Sequence, residues 1–164
     1  MTIFVKNKHT LQIDEFKLRC CIGKNGLTMN KEEGDKKTPK GVFGIENLYF
    51  RKDRKEKPLT LLKCIEIKEG MGWCDDVCFP KKYNKLFKQK KNIKHEKLKR
   101  KDHKYDFLIP IKYNFKKPIT GLGSCIFIHL TKNYKPTAGC VALKEKDFLI
   151  MLKLIKKNSR IKIY

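Results

Sequence analysis

The sequence has no long hydrophobic run. No stretch approaches the about 20 consecutive apolar residues of a membrane-spanning helix, so no transmembrane segment is predicted. The first residues, MTIFVKNKHTLQID, have a basic character but no apolar core, so no secretory signal is visible and the sequence by itself predicts a cytoplasmic protein. Repeats and interdomain linkers are also absent. With 164 residues, 40% of them hydrophobic, the chain can bury a core without metals or disulfides, and we expect one domain over residues 1–164.

Arginine is scarce in a chain that is otherwise strongly basic. Lysine and arginine total 40 against 17 acidic residues, a formal charge of +23, yet only five are arginine. The lysines are scattered among many Ile and Asn residues, which is typical of an AT-rich genome. The densest basic run, 81–104, lacks regularly spaced aromatic residues on which bases could stack. We therefore expect no dedicated nucleic-acid partner, although this charge attracts polyanions at low salt.

The cysteine pattern matches neither a disulfide framework nor a zinc finger. Seven cysteines are an odd number, so at least one is free of intramolecular disulfides. Cys74 and Cys78, with His95 and His103 downstream, imitate a zinc site, but they lack the paired close spacings of a structural finger. No metal is predicted, and this usage fits a reducing compartment better than an oxidising one. Four others lie among apolar neighbours and are interpreted as small buried hydrophobic residues: Cys20, Cys21, Cys64 and Cys125.

The hydrophobic pattern favours a mostly-β domain. Residues 145–157 predict the one clear helix, since apolar side chains recur there every three or four positions. The lysine-rich segment 81–104 is interpreted as a solvated insertion with a short helix, and 23–41 as a loop. Many short strands with one late helix and a few short helices indicate a mostly-β fold. Strands are predicted at 2–6, 10–22, 42–49, 61–67, 107–113, 124–130 and 160–164.

Residues 126–143, IFIHLTKNYKPTAGCVAL, place one histidine and one cysteine in a suggestive context. His129 lies in an apolar run typical of a buried strand, and Cys140 follows a turn-forming segment that ends in Gly139. A thiol at such a turn, with a base from a neighbouring strand, indicates nucleophilic catalysis. Free cysteine titrates near about pH 8.5, so a nearby imidazole would be needed for a thiolate at neutral pH. Exposed N–H groups of the Gly139–Cys140 turn would stabilise an oxyanion. The alternative interpretation is structural: Cys140 would be a buried thiol and His129 a histidine of the core.

Ordered motifs along the chain accompany this pair. GDKKTPKGVF (34–43) looks like a GDxxTPxGxF segment, and TAGC with the preceding His129 looks like an H…(S/T)-x-G-C signature. Together the motifs resemble a compact, single-domain branch of the YkuD-type L,D-transpeptidases, and they span roughly residues 20–155. The further blocks are YFRKDR (49–54), GWCDD (72–76), YN (83–84), HKYDF (103–107), YN (113–114) and GSCIFIHL (123–130).

The resemblance implies a fold, a reaction and a substrate. The fold would be an L,D-transpeptidase-like β-sandwich or barrel. Cys140 would be the nucleophile, His129 its base, the Leu130 carbonyl the group that orients the imidazole, and the Gly139 N–H an oxyanion donor. Cys140 would cleave a peptidoglycan stem peptide after its diamino acid, release D-alanine and form a thioester. The amine of a second stem would then give a 3→3 cross-link, without cofactor or metal. The resemblance also implies the periplasm or cell envelope, which the missing signal does not support.

Two positions depart from the broader family. Its SHGC(I/V)(R/N) motif reads TAGCVA here, so Ala138 and Ala142 replace a histidine and a polar residue, and contacts made there in the family do not transfer. Thr137 either bonds near the oxyanion site or caps the turn.

Charged and aromatic blocks supply candidates for substrate binding. Arg51 and Arg54 would bind carboxylates, and Asp75 and Asp76 an ammonium group. The alternative is an internal Arg–Asp network. Trp73 would form a wall of the cleft, and His103 would reach the site or fix a loop.

Two alternatives to a transferase stay open. In the first, water replaces the acceptor amine, and the same site hydrolyses stems or cross-links. In the second, the chain is a basic polyanion-binding module that keeps the fold as a scaffold. Oligomeric state is not predicted.

Overall fold

Short strands make up most of the regular structure in this computed structural model, which describes all 164 residues. The expected mostly-β fold with one helix in its C-terminal region is confirmed, and the additional short helices that were expected do not occur. The helix α1 covers Glu145–Leu154. The strands are β1 (Thr2–Lys6), β2 (Thr10–Ile13), β3 (Phe16–Cys21), β4 (Leu27–Thr28), β5 (Thr38–Pro39), β6 (Gly41–Gly44), β7 (Leu48–Phe50), β8 (Cys64–Glu66), β9 (Met71–Cys74), β10 (Leu86–Lys88), β11 (His95–Lys97), β12 (Phe107–Pro110), β13 (Phe127–Leu130), β14 (Val141–Leu143) and β15 (Arg160–Ile163).

Ten of the strands form one large sheet in the order β6-β15-β1-β2-β3-β14-β13-β12-β7-β8. β1 pairs in parallel with β15, and β13 in parallel with β14. The predicted strand over 10–22 is in fact the hairpin β2–β3, because Asp14 adopts a left-handed conformation (φ 53°) that suits a tight turn. Near the middle of the sheet, β13 carries the predicted histidine, and the predicted cysteine directly precedes β14.

The main hydrophobic core lies between this sheet and α1. Alternate residues of β13, Ile128 and Leu130, belong to it, as does the apolar face of the helix, whose Phe148 and Met151 are fully buried. Side chains alternate between the two faces of a strand, so Phe127 and His129 point away from this core. The helix ends at Leu154, three residues earlier than predicted, since a turn closed by the Ser159 N–H and the Lys156 carbonyl follows it (2.9 Å).

A second, smaller cluster covers the opposite face. Phe127 and Leu108 of the large sheet pack there with Trp73 of β9 and with Cys140. β9 is the central strand of a three-stranded sheet, β10-β9-β11. The lysine-rich segment therefore forms two strands rather than a helix: both pair with β9, and the buried Ile93 and Leu98 anchor the segment. The helix α1 lacks the length and hydrophobicity needed to cross a membrane.

Candidate active site

A cleft of about 750 Å³ opens on the face of the large sheet that carries the smaller cluster. Both residues of the predicted catalytic pair, His129 and Cys140, line it. The pair comes together because β13 and β14 are parallel neighbours: Ile128 lies beside Val141, and His129 beside Ala142. The two strands thus deliver a histidine from within one strand and a cysteine from the turn that precedes the other.

The Cys140 thiol is held at the base of the cleft. Cys140 is only 8% exposed. Sγ accepts a hydrogen bond from the Phe127 N–H (3.3 Å) and donates one to the Cys125 carbonyl (3.1 Å). Cys125, which the sequence suggested was only a buried hydrophobic residue, therefore forms part of the cleft wall. Burial and these two backbone contacts fix the position of the sulfur.

The His129 ring is fixed by two contacts. Nδ1 lies 2.9 Å from the carbonyl oxygen of Leu130. A carbonyl oxygen can only accept a hydrogen bond, so Nδ1 carries the hydrogen and Nε2 has a free lone pair. The Tyr105 ring packs edge-on against the imidazole, with centroids 5.3 Å apart. The tautomer is thus the one that leaves the Nε2 lone pair available to accept a proton.

The turn before Cys140 is stabilised by hydrogen bonds between the Thr137 side chain and the backbone of the turn. The Thr137 hydroxyl donates to the Cys140 carbonyl (2.6 Å) and accepts from the Gly139 N–H (3.1 Å). The Gly139 N–H therefore donates within the turn, whereas the Cys140 N–H donates to no other group of the protein. Gly139 has φ +142°, and a Cβ there would lie 2.9 Å from the Lys37 carbonyl oxygen, so only glycine fits.

The sequence profile of the L,D-transpeptidase catalytic domain (YkuD) matches residues 1–163. The chain belongs to this family. Among solved structures, "Structure of Bdellovibrio bacteriovorus Bd1075" is similar to this chain at 15% identity with a TM-score of 0.49. That match covers 99% of this chain and 47% of the other, so the chain spans about half the length of that protein. No curated protein matches significantly.

Burial shifts both members of the pair towards their neutral forms in this L,D-transpeptidase domain. Burial raises the pKa of the Cys140 thiol to about 12, an effect that the Phe127 N–H partly offsets. Burial lowers the pKa of His129 to about 4, although its bond to the Leu130 carbonyl acts the other way. The sequence suggested a thiolate produced by a neighbouring imidazole. Burial in this cleft disfavours the charged form of both groups, so these shifts favour a thiol and an unprotonated imidazole.

These pKa shifts predict slow alkylation of Cys140. At pH 8, iodoacetamide should modify the exposed Cys78 at least about tenfold faster than Cys140, because only thiolate reacts. Peptide mass spectrometry over a time course would measure both rates in one sample. Faster labelling of Cys140 than of Cys78 would contradict a neutral pair.

Thr38 is a residue of this site that the sequence analysis treated only as part of a loop. It is fully buried, and its hydroxyl donates to the Gly139 carbonyl (2.7 Å) and accepts from the Gly23 N–H (2.9 Å). The TP motif at 38–39 was the available signal, but it does not reveal a contact with a residue 101 positions away.

Charge is unevenly distributed around the cleft. Seven basic residues line it against three acidic ones: Lys31, Lys36, Lys94, Arg100, Lys104, Lys132 and Lys135 against Glu33, Asp75 and Glu96. The acidic side includes Glu33, whose Oε2 accepts hydrogen bonds from Ser124 (2.6 Å) and from Tyr83. Near it, Asp75 has one buried oxygen, Oδ1, without a partner, while Oδ2 lies 3.5 Å from Lys94 Nζ. Burial raises the pKa of Asp75, and the Glu33 charge adds to this rise.

Of the predicted substrate-binding residues, Asp75, His103 and Thr137 line the cleft. Trp73 does not: it is buried behind Cys140, where its Nε1–H donates to Asn84 (2.9 Å). Asp76 also lies outside the cleft, where it accepts from the backbone N–H groups of Cys78 and Lys94 (both 2.9 Å).

The two predicted arginines form an internal network outside the cleft. The Arg51 guanidinium binds Asp53 through two hydrogen bonds (2.8 and 2.7 Å) and also donates to the Arg100 carbonyl (2.6 Å). Arg54 donates to Asp106 (3.1 Å) and to two backbone carbonyls. This arrangement matches the alternative that the sequence left open, in which the charges fix loops.

The four residues that imitate a zinc set are not gathered into a metal site. His95 pairs with Cys74 across β11 and β9, whereas Cys78 is exposed in a loop and His103 lines the cleft. No group of three or more potential ligand side chains in the structure is placed to hold a metal ion.

Proposed function

We propose that this domain is a cysteine acyltransferase that acts on peptidoglycan stem peptides, with Cys140 as nucleophile and His129 as base. The observation that carries the proposal is the shared cleft, in which an imidazole with a free Nε2 lies on β13 and a fixed thiol lies directly before the adjacent parallel strand β14. Membership of a family of L,D-transpeptidases supplies the substrate class.

The neutral pair requires the proton to move during the attack. His129 Nε2 takes the Cys140 proton as the sulfur bonds to the carbonyl carbon of the diamino acid. The π electrons of that carbonyl pass to its oxygen. Collapse of this intermediate breaks the C–N bond, and the imidazolium returns the proton to the leaving amine of D-alanine. A thioester remains on Cys140. An acceptor amine then attacks it, gives its proton to His129 and forms the new amide, while sulfur leaves and regains a proton.

The oxyanion requires a donor that is not otherwise engaged. The Gly139 N–H, assigned by the family resemblance, already donates to Thr137. The Cys140 N–H makes no hydrogen bond and belongs to the residue that carries the thiol, so we assign it as the oxyanion donor. Leu130 keeps the role that the resemblance gives it: its carbonyl holds the His129 tautomer.

The charge pattern of the cleft suits a stem peptide. Its basic majority attracts the stem carboxylates. Asp75 is the proposed partner of the ammonium group of a diamino acid, because its buried Oδ1 has no partner in the protein. Binding an ammonium there would compensate the cost of burying that oxygen.

Asp75→Asn is expected to weaken use of the acceptor amine. The KM for the acceptor should rise about tenfold or more through loss of a charge-assisted hydrogen bond, with acylation by the donor almost unchanged. Steady-state kinetics with donor and acceptor varied separately would measure this. Asp14→Asn, in an exposed hairpin turn, is the matched control. An unchanged acceptor KM would remove Asp75 from the site.

The same geometry supports hydrolysis as a second function. Mostly polar and charged side chains line the cleft, so water has access to the acyl-enzyme. Mass spectrometry of the protein incubated with disaccharide-tetrapeptide tests both functions. A thioester adduct and released D-alanine would support the nucleophile, and cross-linked dimers or tripeptide monomers would separate transferase from hydrolase. Neither adduct nor turnover under reducing conditions would contradict the proposal.

A further inference from the structure

We propose that Thr38 is a positioning residue that orients the oxyanion donor of the Cys140 turn. The inference rests on the proposed function, and it begins with one peptide group. The carbonyl of Gly139 and the N–H of Cys140 belong to the same planar, trans peptide unit, so they point in opposite directions. Fixing the carbonyl therefore fixes the direction of the N–H.

The Thr38 hydroxyl fixes that carbonyl. It donates to the Gly139 oxygen at 2.7 Å and, through its lone pair, accepts from the Gly23 N–H at 2.9 Å. An N–H can only donate and a carbonyl can only accept, so the direction of both bonds is determined. With the Gly139 carbonyl directed at Thr38 in the protein interior, the Cys140 N–H faces away from Thr38 and towards the cleft that its own thiol lines.

Thr38 is itself rigidly placed. Its side chain is fully buried, and its backbone N–H donates to the Gly26 carbonyl (2.8 Å), where β5 pairs with β4. A Cβ on Gly23 would lie 2.5 Å from the Lys36 carbonyl oxygen, so the backbones meet without intervening side chains. The position of the oxyanion donor, the Cys140 N–H, thereby depends on a segment about a hundred residues earlier in the chain.

This hydrogen bond also acts electronically. Donation to a peptide carbonyl polarises the peptide group and makes its N–H a stronger donor, because hydrogen bonds in a chain reinforce one another. Thr38 touches neither substrate nor sulfur. Its contribution should appear only in steps that create an oxyanion.

Two reactions of the same thiol separate this role from a merely structural one. Acylation by p-nitrophenyl acetate passes through a tetrahedral oxyanion and releases p-nitrophenolate. Alkylation by iodoacetamide forms an S–C bond and expels iodide without any oxyanion. Both can be followed at Cys140 by peptide mass spectrometry. Neither probe is a stem peptide, so the test stays informative if the proposed substrate is wrong.

Thr38→Val should lower the acylation rate about 10–100-fold, since removal of one oxyanion donor costs 10²–10³-fold and here the donor is only misdirected. The alkylation rate should change less than about threefold, because that reaction forms no oxyanion. Thr38→Ser, which keeps the hydroxyl, should restore most of the acylation rate. Thr10→Val, on β2 and away from the cleft, is the matched control. If the valine variant does not fold, Thr38→Ser and Thr38→Ala provide the comparison, since they differ by the hydroxyl alone.

Three results would overturn the proposal. Equal losses of acylation and alkylation would mean that Thr38 supports only the structure. Unchanged acylation in the valine variant would mean that the carbonyl does not direct the donor. A serine variant as slow as the valine variant would mean that the hydroxyl group does not by itself orient the donor. Failure with stem peptides alone, while p-nitrophenyl acetate still acylates wild-type Cys140, would count against the proposed function and not against Thr38.

Discussion

Cys140→Ala is expected to abolish both the thioester adduct and the release of D-alanine, a loss of about 10⁴-fold or more, because the covalent intermediate cannot form. Intact-protein mass spectrometry and D-alanine detection would measure the two losses. The fold should survive, since the change removes one sulfur from a cluster that also contains Phe127 and Trp73. A melting temperature within a few degrees of wild type would show this.

Cys78→Ala is the matched control, because this thiol is exposed in a loop and lies outside the cleft. It should keep full activity. Turnover that persists in Cys140→Ala would contradict the assigned nucleophile. If no variant or wild-type protein turned over stems, and the protein only bound polyanions in a salt-sensitive way, the scaffold alternative would replace the enzyme.

His129→Gln is expected to lower the acylation rate about 10²–10⁴-fold, the range associated with a general base. In the wild type, activity should rise with pH through about 4 and stay high across neutral pH, because the pKa of His129 is lowered to about 4 by burial. The glutamine variant should lack this acidic limb. Single-turnover acylation at a series of pH values would measure both.

Stability must be followed in the same series. The pKa of His129 lies below its ordinary value of 6.5, so between about pH 6.5 and 4 the unfolded chain binds a proton that the folded chain does not. The free energy of unfolding therefore falls as pH falls through that window. An activity limb near pH 6.5 without unfolding would contradict the neutral, buried imidazole.

The parts of the site that are local in sequence could be predicted. The apolar run around His129 indicated a strand, and the Gly139–Cys140 segment indicated a turn, and the structure has both. These signals depend on a few adjacent residues. The family motifs added the reaction and substrate class, and the sequence profile confirms the family.

The parts that depend on distant contacts could not be predicted. Thr38 meets Gly139 only after folding, and Glu33 reaches Ser124 across 91 positions. Arg51 and Arg54 do bind carboxylates, but these belong to Asp53 and Asp106 and not to a substrate. The sequence cannot distinguish these two kinds of partner. In the lysine-rich segment, the many charged residues indicated a solvated insertion. Two strands form there because their backbones pair with β9, which the side-chain pattern does not reveal.

The parallel pairing of β1 with β15 has a consequence for synthesis of the protein. Residues 2–6 must find residues 160–163, so a growing chain on the ribosome holds an unpaired edge of β1 until residues 160–163 have been made. Such long-range closure slows folding, and exposed strand edges invite association with other chains. During that interval the many lysine charges keep nascent chains apart by mutual repulsion.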